Sequence, residues 1–317
     1  MARPPPSNVR RSPSERKSVS RRVIPGRSEF HRMSKCTILA RCLSVATAIA
    51  MAGCAAVAAN EPLAHETNAE QTKASVVAFP RGNGFTAFNG NRYANAADLD
   101  GMGLVPFTSI YDVWGLSCDA TRCYHVPTEG QFKKVLAGYV SQFRSNEVIA
   151  FDFEKIVIDA ARSEAQAENE VALFQKFIAW TRAAYPNARL GMYDYDFNPK
   201  FRDIRAQLYQ AGGFDFFAPT MYQRWPNHAL WRTNLRAVVE NDRAINRSLP
   251  IYAYVSPYKA GQTANGFLGD AEWLGELSEA GRAINGVIVW TESAPGDQLD
   301  TSQSWLADLR RMTGAGH

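Results

Sequence analysis

The stretch Val148-Ile149-Ala150-Phe151-Asp152-Phe153-Glu154 has the pattern of a buried β-strand that ends in two acidic residues. It is a short apolar run, as expected of a strand. Strand side chains alternate between two faces, so Asp152 and Glu154 are expected on one face and Phe151 and Phe153 on the other. The stretch therefore predicts a strand with an acid pair at its carboxyl end.

Helical patterns flank this strand on both sides, and the alternation of strand and helix continues along the chain. The clearest helix has one apolar face with i, i+3, i+4, i+7 spacing, formed by Phe132, Val135, Leu136, Tyr139, Val140 and Phe143. Further strand-like runs occupy residues 76–79, 106–111, 190–197, 214–222, 251–257 and 286–291. Further helical patterns occupy residues 165–185, 199–211, 229–245, 271–283 and 302–312.

This repeated order predicts parallel strands, because a parallel pair needs a crossover that a helix usually provides. About seven such units in roughly 250 residues predict an α/β fold, a TIM-like (β/α) barrel that is distorted. A doubly wound sheet is the alternative, supported by the string Gly82-Asn83-Gly84-Phe85-Thr86-Ala87. We interpret that string as a loop, because the turn-rich residues after it supply no helix N-terminus for a pyrophosphate.

The first 58 residues are predicted to be an N-terminal extension and an export leader. They hold eleven of the 35 Lys and Arg residues and two of the 31 acidic residues, which leaves 24 basic and 29 acidic residues in the remainder. This acidic remainder argues against a nucleic-acid partner. A start at Met33 would give a positive n-region, an apolar h-region and a cleavage site after Ala58, whereas a start at Met1 adds a Pro-, Ser- and Arg-rich extension.

Cys54 gives the leader a second interpretation, since Met51-Ala52-Gly53-Cys54 resembles the bacterial lipobox. A lipidated Cys54 would attach the protein to a membrane, so a lipoprotein and a soluble secreted protein both stay open. Either one is exported, to the bacterial periplasm, the outer membrane or the medium. Residues 59–74 are polar and Ala-rich and are predicted to be a linker. A single barrel domain over residues 75–317, which we expect to be monomeric, would follow.

Cys118 and Cys123 are the one cysteine pair after the leader. An oxidising compartment favours a disulfide between them. The metal interpretation is weaker, because two cysteines with His125 nearby do not complete a tetrahedral site. We therefore expect a disulfide there, and neither a metal nor a cofactor.

Aromatic residues recur at the predicted strand ends, where the functional groups of a parallel barrel gather. They are Tyr111, Tyr193, Tyr195, Tyr222, Tyr254 and Trp290. Rings with a polar tip match the apolar faces and hydroxyl edges of sugars. Core packing would explain any one of them, but the same chemistry at several strand ends favours a sugar pocket.

The acid pair suggests that this pocket catalyses a reaction as well as binding sugar. Two carboxyl groups this close resist ionising together, so one pKa should rise and leave a protonated acid beside an ionised partner. Glycoside cleavage needs that combination. A structural role is the alternative, in which Asp152 caps a helix or Glu154 pairs with Lys155 or an arginine.

Five motifs in order resemble the hyaluronidase family of glycoside hydrolases, over roughly residues 105 to 295. They are Ile149-Ala150-Phe151-Asp152-Phe153-Glu154, Gly191-x-Tyr193, Pro219-x-x-Tyr222, Leu249-Pro250-Ile251-Tyr252-Ala253-Tyr254 and Gly286-Val287-Ile288-Val289-Trp290. The resemblance implies a distorted barrel and hydrolysis with retention, assisted by the N-acetyl group of the substrate. It implies that Glu154 is the proton donor, that Asp152 and Tyr222 orient the acetamido group, and that Trp290 and Tyr193 contact the sugar.

The chain also departs from that family, because the disulfides of its animal members and a match to residues 76–95 are missing. Three functions therefore compete. The first is a hydrolase that cleaves N-acetylhexosamine-containing polysaccharides. The second is a non-catalytic glycan-binding barrel, and the third is a structural envelope protein. The intact acid pair favours the hydrolase.

Overall fold

The protein is described by a computed structural model that covers residues 84–195, 200–293 and 296–313. The predicted leader, the linker, Cys54 and the predicted strand at residues 76–79 lie outside these residues. In chain order the elements are β1 (Thr86–Asn89), α1 (Ala97–Asp100), β2 (Val105–Pro106), β3 (Thr108–Tyr111), β4 (Ser117–Cys118), β5 (Cys123–Tyr124), α2 (Glu129–Phe143), β6 (Val148–Asp152), α3 (Glu164–Ala184), β7 (Arg189–Asp194), α4 (Arg202–Arg205), β8 (Phe216–Pro219), α5 (His228–Ile245), β9 (Tyr252–Val255), α6 (Asp270–Ala283), β10 (Gly286–Val289) and α7 (Ser304–Thr313).

The parallel strands form two four-stranded sheets that together make a distorted barrel. Their orders are β2-β1-β10-β9 and β3-β6-β7-β8. β2 and β3 are separated by Phe107 alone and act as two halves of one bent strand. The other seam is closed by parallel bridges from Phe217 to Ile251 and from Thr220 to Tyr254. The result is a ring of seven strand positions, which confirms the predicted fold class.

The predicted alternation along β6 places its side chains in two different layers. Ala150 joins a buried cluster inside the barrel that includes Phe88, Phe107 and Phe216. Phe151 lies in the layer between strands and helices, and the ring of Phe153 stacks on it with centroids 5.6 Å apart. Each fully buried aromatic side chain contributes roughly 1.5 to 3 kcal/mol. The strand is therefore held from both sides, and its carboxyl end is fixed.

The helix before β6 forms where the apolar periodicity predicts it. Thr128 caps α2 in a capping box with Gln131, which satisfies two backbone N–H groups of the first turn. Phe132, Leu136 and Phe143 are buried along one face of the helix. α2 thus covers the barrel on the stripe expected from its spacing.

Three predicted segments differ from the structure. The string at residues 82–87 was interpreted as a loop, but Thr86 and Ala87 begin β1, which pairs with β10 because Ala87 and Phe88 are buried. The predicted helix at residues 199–211 is wrong in extent, since four residues of α4 lead into a 3₁₀ turn over Ala206–Tyr209 that buries Leu208. The predicted strand at residues 106–111 is interrupted where Phe107 points into the barrel.

No helix in the described part of the chain is long and apolar enough to cross a membrane.

Candidate active site

The acid pair lies at the carboxyl end of β6. Asp152 is the last residue of the strand and is 7% exposed, whereas Glu154, two residues later, is exposed. The Asp152 Oδ1 atom is buried and has no hydrogen-bond partner among the described residues. Neither carboxyl group is in an ion pair in that part of the chain, so the structural roles considered for them find no support there.

The environment of Asp152 favours its protonated form. Burial raises the pKa of its carboxyl group well above the ordinary value, and the nearby charge of Glu154 raises it further. Arg92 opposes both effects. The pKa rise expected within the pair therefore falls on Asp152.

Tyr222 and Trp290 form a stacked pair in the barrel mouth, which is the end of the barrel where the carboxyl ends of the strands lie. Their ring centroids are 5.3 Å apart and the ring planes differ by 30°. Tyr222 follows β8 and is buried, and Trp290 follows β10 and is half-buried, so two strands contribute to one aromatic pair. The Trp290 Nε1–H donates a hydrogen bond to the Tyr111 hydroxyl at 3.3 Å. Tyr111 is in turn the register partner of Asp152 on the neighbouring strand, which joins the aromatic pair to the acid pair.

Tyr193 and Tyr195 line the β7 side of the mouth. Their rings meet edge to face with centroids 5.4 Å apart, and the Tyr193 hydroxyl donates to that of Tyr195 at 3.3 Å. The guanidinium of Arg224 lies 5.2 Å from the Tyr195 centroid and 5.5 Å from that of Tyr222. A cation over two rings links the β7 and β8 sides of the mouth.

Tyr254 lies deeper than the other predicted site residues. It is fully buried, and its hydroxyl is hydrogen-bonded to the Ser109 Oγ at 2.9 Å. Its ring contacts that of Tyr193 at a centroid distance of 5.0 Å. The structure therefore gives Tyr254 a supporting position under the mouth instead of an open binding position.

Burial keeps the site tyrosines in their neutral form. Desolvation raises the pKa of Tyr111, Tyr193, Tyr222 and Tyr254 above the ordinary value, and Asp152 adds to this for each of them when it is ionised. Neutral phenols can donate hydrogen bonds to a carbonyl or a hydroxyl oxygen. The mouth thus offers donors around a carboxyl group.

Arg205 organises the loops behind this mouth, and its role was not predicted from the sequence. Its guanidinium contacts the carboxylates of Asp159 at 3.1 Å, Asp194 at 3.0 Å and Asp242 at 3.2 Å, all of them buried. Asp194 also accepts the backbone N–H of Tyr195 at 2.7 Å. The cluster therefore connects the segment after Glu154 with the segment that carries Tyr195. These residues are far apart in sequence, so no spacing signalled the cluster.

Cys118 and Cys123 are joined by a disulfide, as expected. The bond closes the β4–β5 hairpin, which belongs to the connection from β3 to α2 and therefore lies on the side of the barrel that carries the strand carboxyl ends. The hairpin contacts α3, because the Asn169 Nδ2 donates to the Asp119 carbonyl oxygen at 2.9 Å. The disulfide thus belongs to the rim of the mouth.

Two other features bear on possible ligands. Among the described residues, no group of three or more His, Cys, Asp or Glu residues is arranged to hold a metal ion. Cavities of about 450 and 370 Å³ are lined by residues 200–204 with Glu164, and by residues 146–147 and 184–188. Neither lining includes a predicted site residue.

Comparisons with known proteins bear on the fold. No protein-family model and no curated protein sequence matches the chain. The monoclinic crystal structure of bee venom hyaluronidase matches with a TM-score of 0.50 and 13% sequence identity, over 66% of this chain and 91% of that chain. The crystal structure of bee venom hyaluronidase in complex with a hyaluronic acid tetramer gives a TM-score of 0.47 at the same identity and coverage. The first match shows that the two chains share the barrel fold.

Proposed function

We propose that this barrel is a glycoside hydrolase that cleaves N-acetylhexosamine-containing glycans with retention, through the acetamido group of the substrate. The observation that carries the proposal is the buried Oδ1 of Asp152, without a partner among the described residues, beside the exposed Glu154 and under a ring of neutral tyrosines. A buried carboxyl oxygen without a hydrogen bond costs free energy, and a hydrogen bond from a bound ligand would remove that cost. The shared fold with bee venom hyaluronidase is compatible with this activity.

The positions of the two acids favour a substrate-assisted reaction. Asp152 ends β6 and Glu154 lies two residues later, in the turn that follows the strand, a span of about 6.6 Å for extended backbone. Groups on one side of a sugar cannot easily bracket its anomeric carbon, as two protein carboxylates do in the other mechanisms. The nucleophile is then the acetamido carbonyl oxygen, which Asp152 and Tyr222 orient.

The proposed steps need the proton of the pair on Glu154 and an ionised Asp152, whereas burial in the free protein favours the proton on Asp152, so substrate binding has to move it. With that start the steps balance, and Glu154 is the proton donor and acceptor. The acetamido oxygen bonds to the anomeric carbon while the glycosidic bond breaks, and the leaving oxygen takes the Glu154 proton. A water molecule then attacks the same carbon and gives a proton back to Glu154, which reopens the acetamido group. The aromatic surface of Tyr222 and Trp290 would hold the sugar during both steps.

The test measures product release by the purified chain from chitin oligosaccharides, hyaluronan, peptidoglycan glycan and a plain glucan. We expect cleavage only of the amino-sugar polymers, retained configuration by NMR immediately after turnover, and inhibition by a thiazoline analogue of the cyclised intermediate. Cleavage of the plain glucan or an inverted product would contradict the mechanism. Binding without product release would leave the non-catalytic glycan-binding barrel as the function.

Replacement of Glu154 by Gln should lower turnover at least about a hundredfold while substrate binding is retained, because the amide cannot donate the proton. Glu292→Gln is the matched control, since Glu292 is an exposed carboxylate on the loop after β10. It should keep its turnover. Full activity of the Glu154 variant would exclude Glu154 as the acid.

A further inference from the structure

The loop between β9 and α6 reaches across the mouth and meets the Tyr222–Trp290 pair at one glycine. Gly261 has φ of +76°, in the left-handed region that favours glycine. A Cβ atom placed on it would lie 2.9 Å from Trp290 Cζ3 and 3.2 Å from Tyr222 Cδ2. The backbone of Gly261 therefore packs directly against both rings, where a side chain would have no room.

Backbone hydrogen bonds fix the loop at this point. The Gly261 carbonyl oxygen accepts the N–H of Glu292 at 3.1 Å, and the Ala260 N–H donates to the Gln223 carbonyl oxygen at 2.7 Å. Gln223 follows Tyr222, and Glu292 lies two residues after Trp290. The loop is thus bonded to the two segments that supply the aromatic pair, and it cannot retreat from the rings without losing those bonds.

Gln223 anchors the same contact to a helix. It is buried, and its Nε2 donates to the Glu272 Oε1 at 2.7 Å in the first turn of α6. Trp290 is held from its other edge by the hydrogen bond to Tyr111. The indole ring is therefore confined by Tyr222, Tyr111 and Gly261.

We propose that Gly261 is a positioning residue that sets the place of Trp290 against Tyr222 and so fixes the sugar-binding surface. This inference rests on the proposed function for its link to sugar, but the position of the ring is a property of the free protein. Gly261 acts through the two rings, and it touches neither the acid pair nor the reacting atoms.

The loop contains its own control, because Gly266 has φ of +81° and no heavy atom within 4 Å of its Cβ position. Gly261→Ala and Gly266→Ala therefore both place an alanine at a positive φ, but the first alone pushes on Trp290. The two variants separate backbone strain from displacement of the ring.

The first readout is the indole N–H resonance of Trp290 in a ¹H–¹⁵N spectrum of the full chain, assigned by its loss in Trp290→Phe. We expect it to shift or broaden in Gly261→Ala and to keep its position in Gly266→Ala. An unchanged resonance in Gly261→Ala, or equal changes in both variants, would overturn the proposal. This readout needs no activity and no ligand.

The second readout is binding of the N-acetylglucosamine tetramer to chains that also carry Glu154→Gln, so that the probe stays intact. Gly261→Ala should weaken binding by about tenfold, the size expected for one poorly placed aromatic contact, and Gly266→Ala should change it by less than about twofold. Equal affinities of the two variants would refute the link to sugar. Absence of tetramer binding in the parent Glu154→Gln chain would count against the proposed function, and the indole resonance would still decide the position of Trp290.

A double variant covers the case in which Gly261→Ala does not fold. Phenylalanine at position 290 removes the ring atom nearest to the new methyl group, so Gly261→Ala should lose less stability in the Trp290→Phe chain than in the natural one. Failure to fold in both backgrounds, while Gly266→Ala folds, would show that Gly261 acts through other neighbours and would end the proposal.

Discussion

Arg92 is the residue whose charge most directly opposes the burial of Asp152. Its guanidinium lies 5.0 Å from the centroid of the Tyr111 ring and donates to the Ser293 carbonyl oxygen at 3.1 Å. The preceding Asn91 fixes this position, because its side chain donates to the Val289 carbonyl oxygen at 3.0 Å and accepts the Thr291 N–H at 2.9 Å. A rigid loop after β1 thus places a positive charge near a carboxyl group that burial would otherwise keep protonated.

Replacement of Arg92 by Gln should therefore change the pH profile of the reaction. In the proposed mechanism ionised Asp152 stabilises the cyclising acetamido group, so kcat/KM should rise with pH as Asp152 loses its proton. Arg92 lowers the pKa of Asp152, and its loss should move this acidic limb to higher pH. Arg92→Lys keeps the charge and should shift the limb less. The measurement is kcat/KM against pH, and an unmoved limb in Arg92→Gln would contradict the role of Arg92.

The placement of the acid pair was predictable in part. Period-two alternation is a property of any strand, so the two layers along β6 followed from the sequence, whereas the strand ends at Asp152 and Glu154 lies in the turn after it. The unequal exposure of the two acids did not follow from it, because it depends on Tyr111, on Arg92 and on loops that the chain brings together from distant positions. Tyr254 shows the same limit, since its hydroxyl partner is Ser109, 145 residues away.

At the scale of elements, the β4–β5 hairpin of the rim is reinforced by local contacts. The Asp112 carboxylate accepts three successive backbone N–H groups, from Trp114 and Gly115 at 2.9 Å and from Leu116 at 2.8 Å. The Trp114 ring stacks on Phe132 of α2. These contacts hold the entry to the hairpin independently of its disulfide. The disulfide is therefore expected to stabilise the hairpin itself and not the barrel.

The double variant Cys118→Ser with Cys123→Ser should therefore keep the barrel and lose little global stability. A cross-link over a loop of this length is worth about 2 kcal/mol at most in the chain-entropy model. We expect a loss of at most about that size in urea unfolding at unchanged circular dichroism. Mass spectrometry of the peptide spanning residues 112–130 should find the bond in protein isolated from its host without reductant. Two free thiols there would contradict it.

Strands and helices were predictable where an apolar run or stripe is long enough to define a period. The helical periodicity at residues 132–143 matches α2, whereas β1 has four residues beside turn-rich sequence and was missed. Such short strands exist because their neighbours complete them, as β10 does for β1 through four register pairs. Tertiary pairing, and not local pattern, decides them.

At the scale of the whole molecule, the barrel buries seven acidic side chains among the described residues. Three of them contact Arg205. A fourth, Glu170 of α3, has its pKa raised in part by the charge of Asp194. Burial raises the pKa of Asp242 to about 8, even though Arg205 opposes the shift. One guanidinium cannot neutralise several carboxylates in a poorly solvated interior, so the folded state holds protons that the unfolded chain releases.

Protein stability should therefore fall as the pH rises from weakly acidic to neutral. Burial raises the pKa of Glu170 from its ordinary 4.5 to about 7, and Asp194 adds to the shift. Between about pH 4.5 and pH 7 the folded state binds more protons than the unfolded state, so the free energy of unfolding decreases with rising pH. The contribution of Glu170 is present below about pH 4.5 and is lost by about pH 7.

Glu170→Gln isolates this contribution, because the amide oxygen can still accept the hydrogen bond that the Gln166 Nε2 gives to Glu170 Oε1 at 2.8 Å. We expect the variant to reduce the fall in the free energy of unfolding between pH 5 and pH 8 by roughly 1 to 3 kcal/mol, measured by urea titration at each pH. Glu168→Gln on the exposed face of the same helix should leave the fall unchanged. Equal pH slopes for Glu170→Gln and the natural chain would mean that Glu170 is ionised in the folded state at neutral pH. The slope that remains in Glu170→Gln measures the other carboxyl groups whose pKa burial raises, which are Asp152, Asp194, Asp242, Glu276 and Asp308.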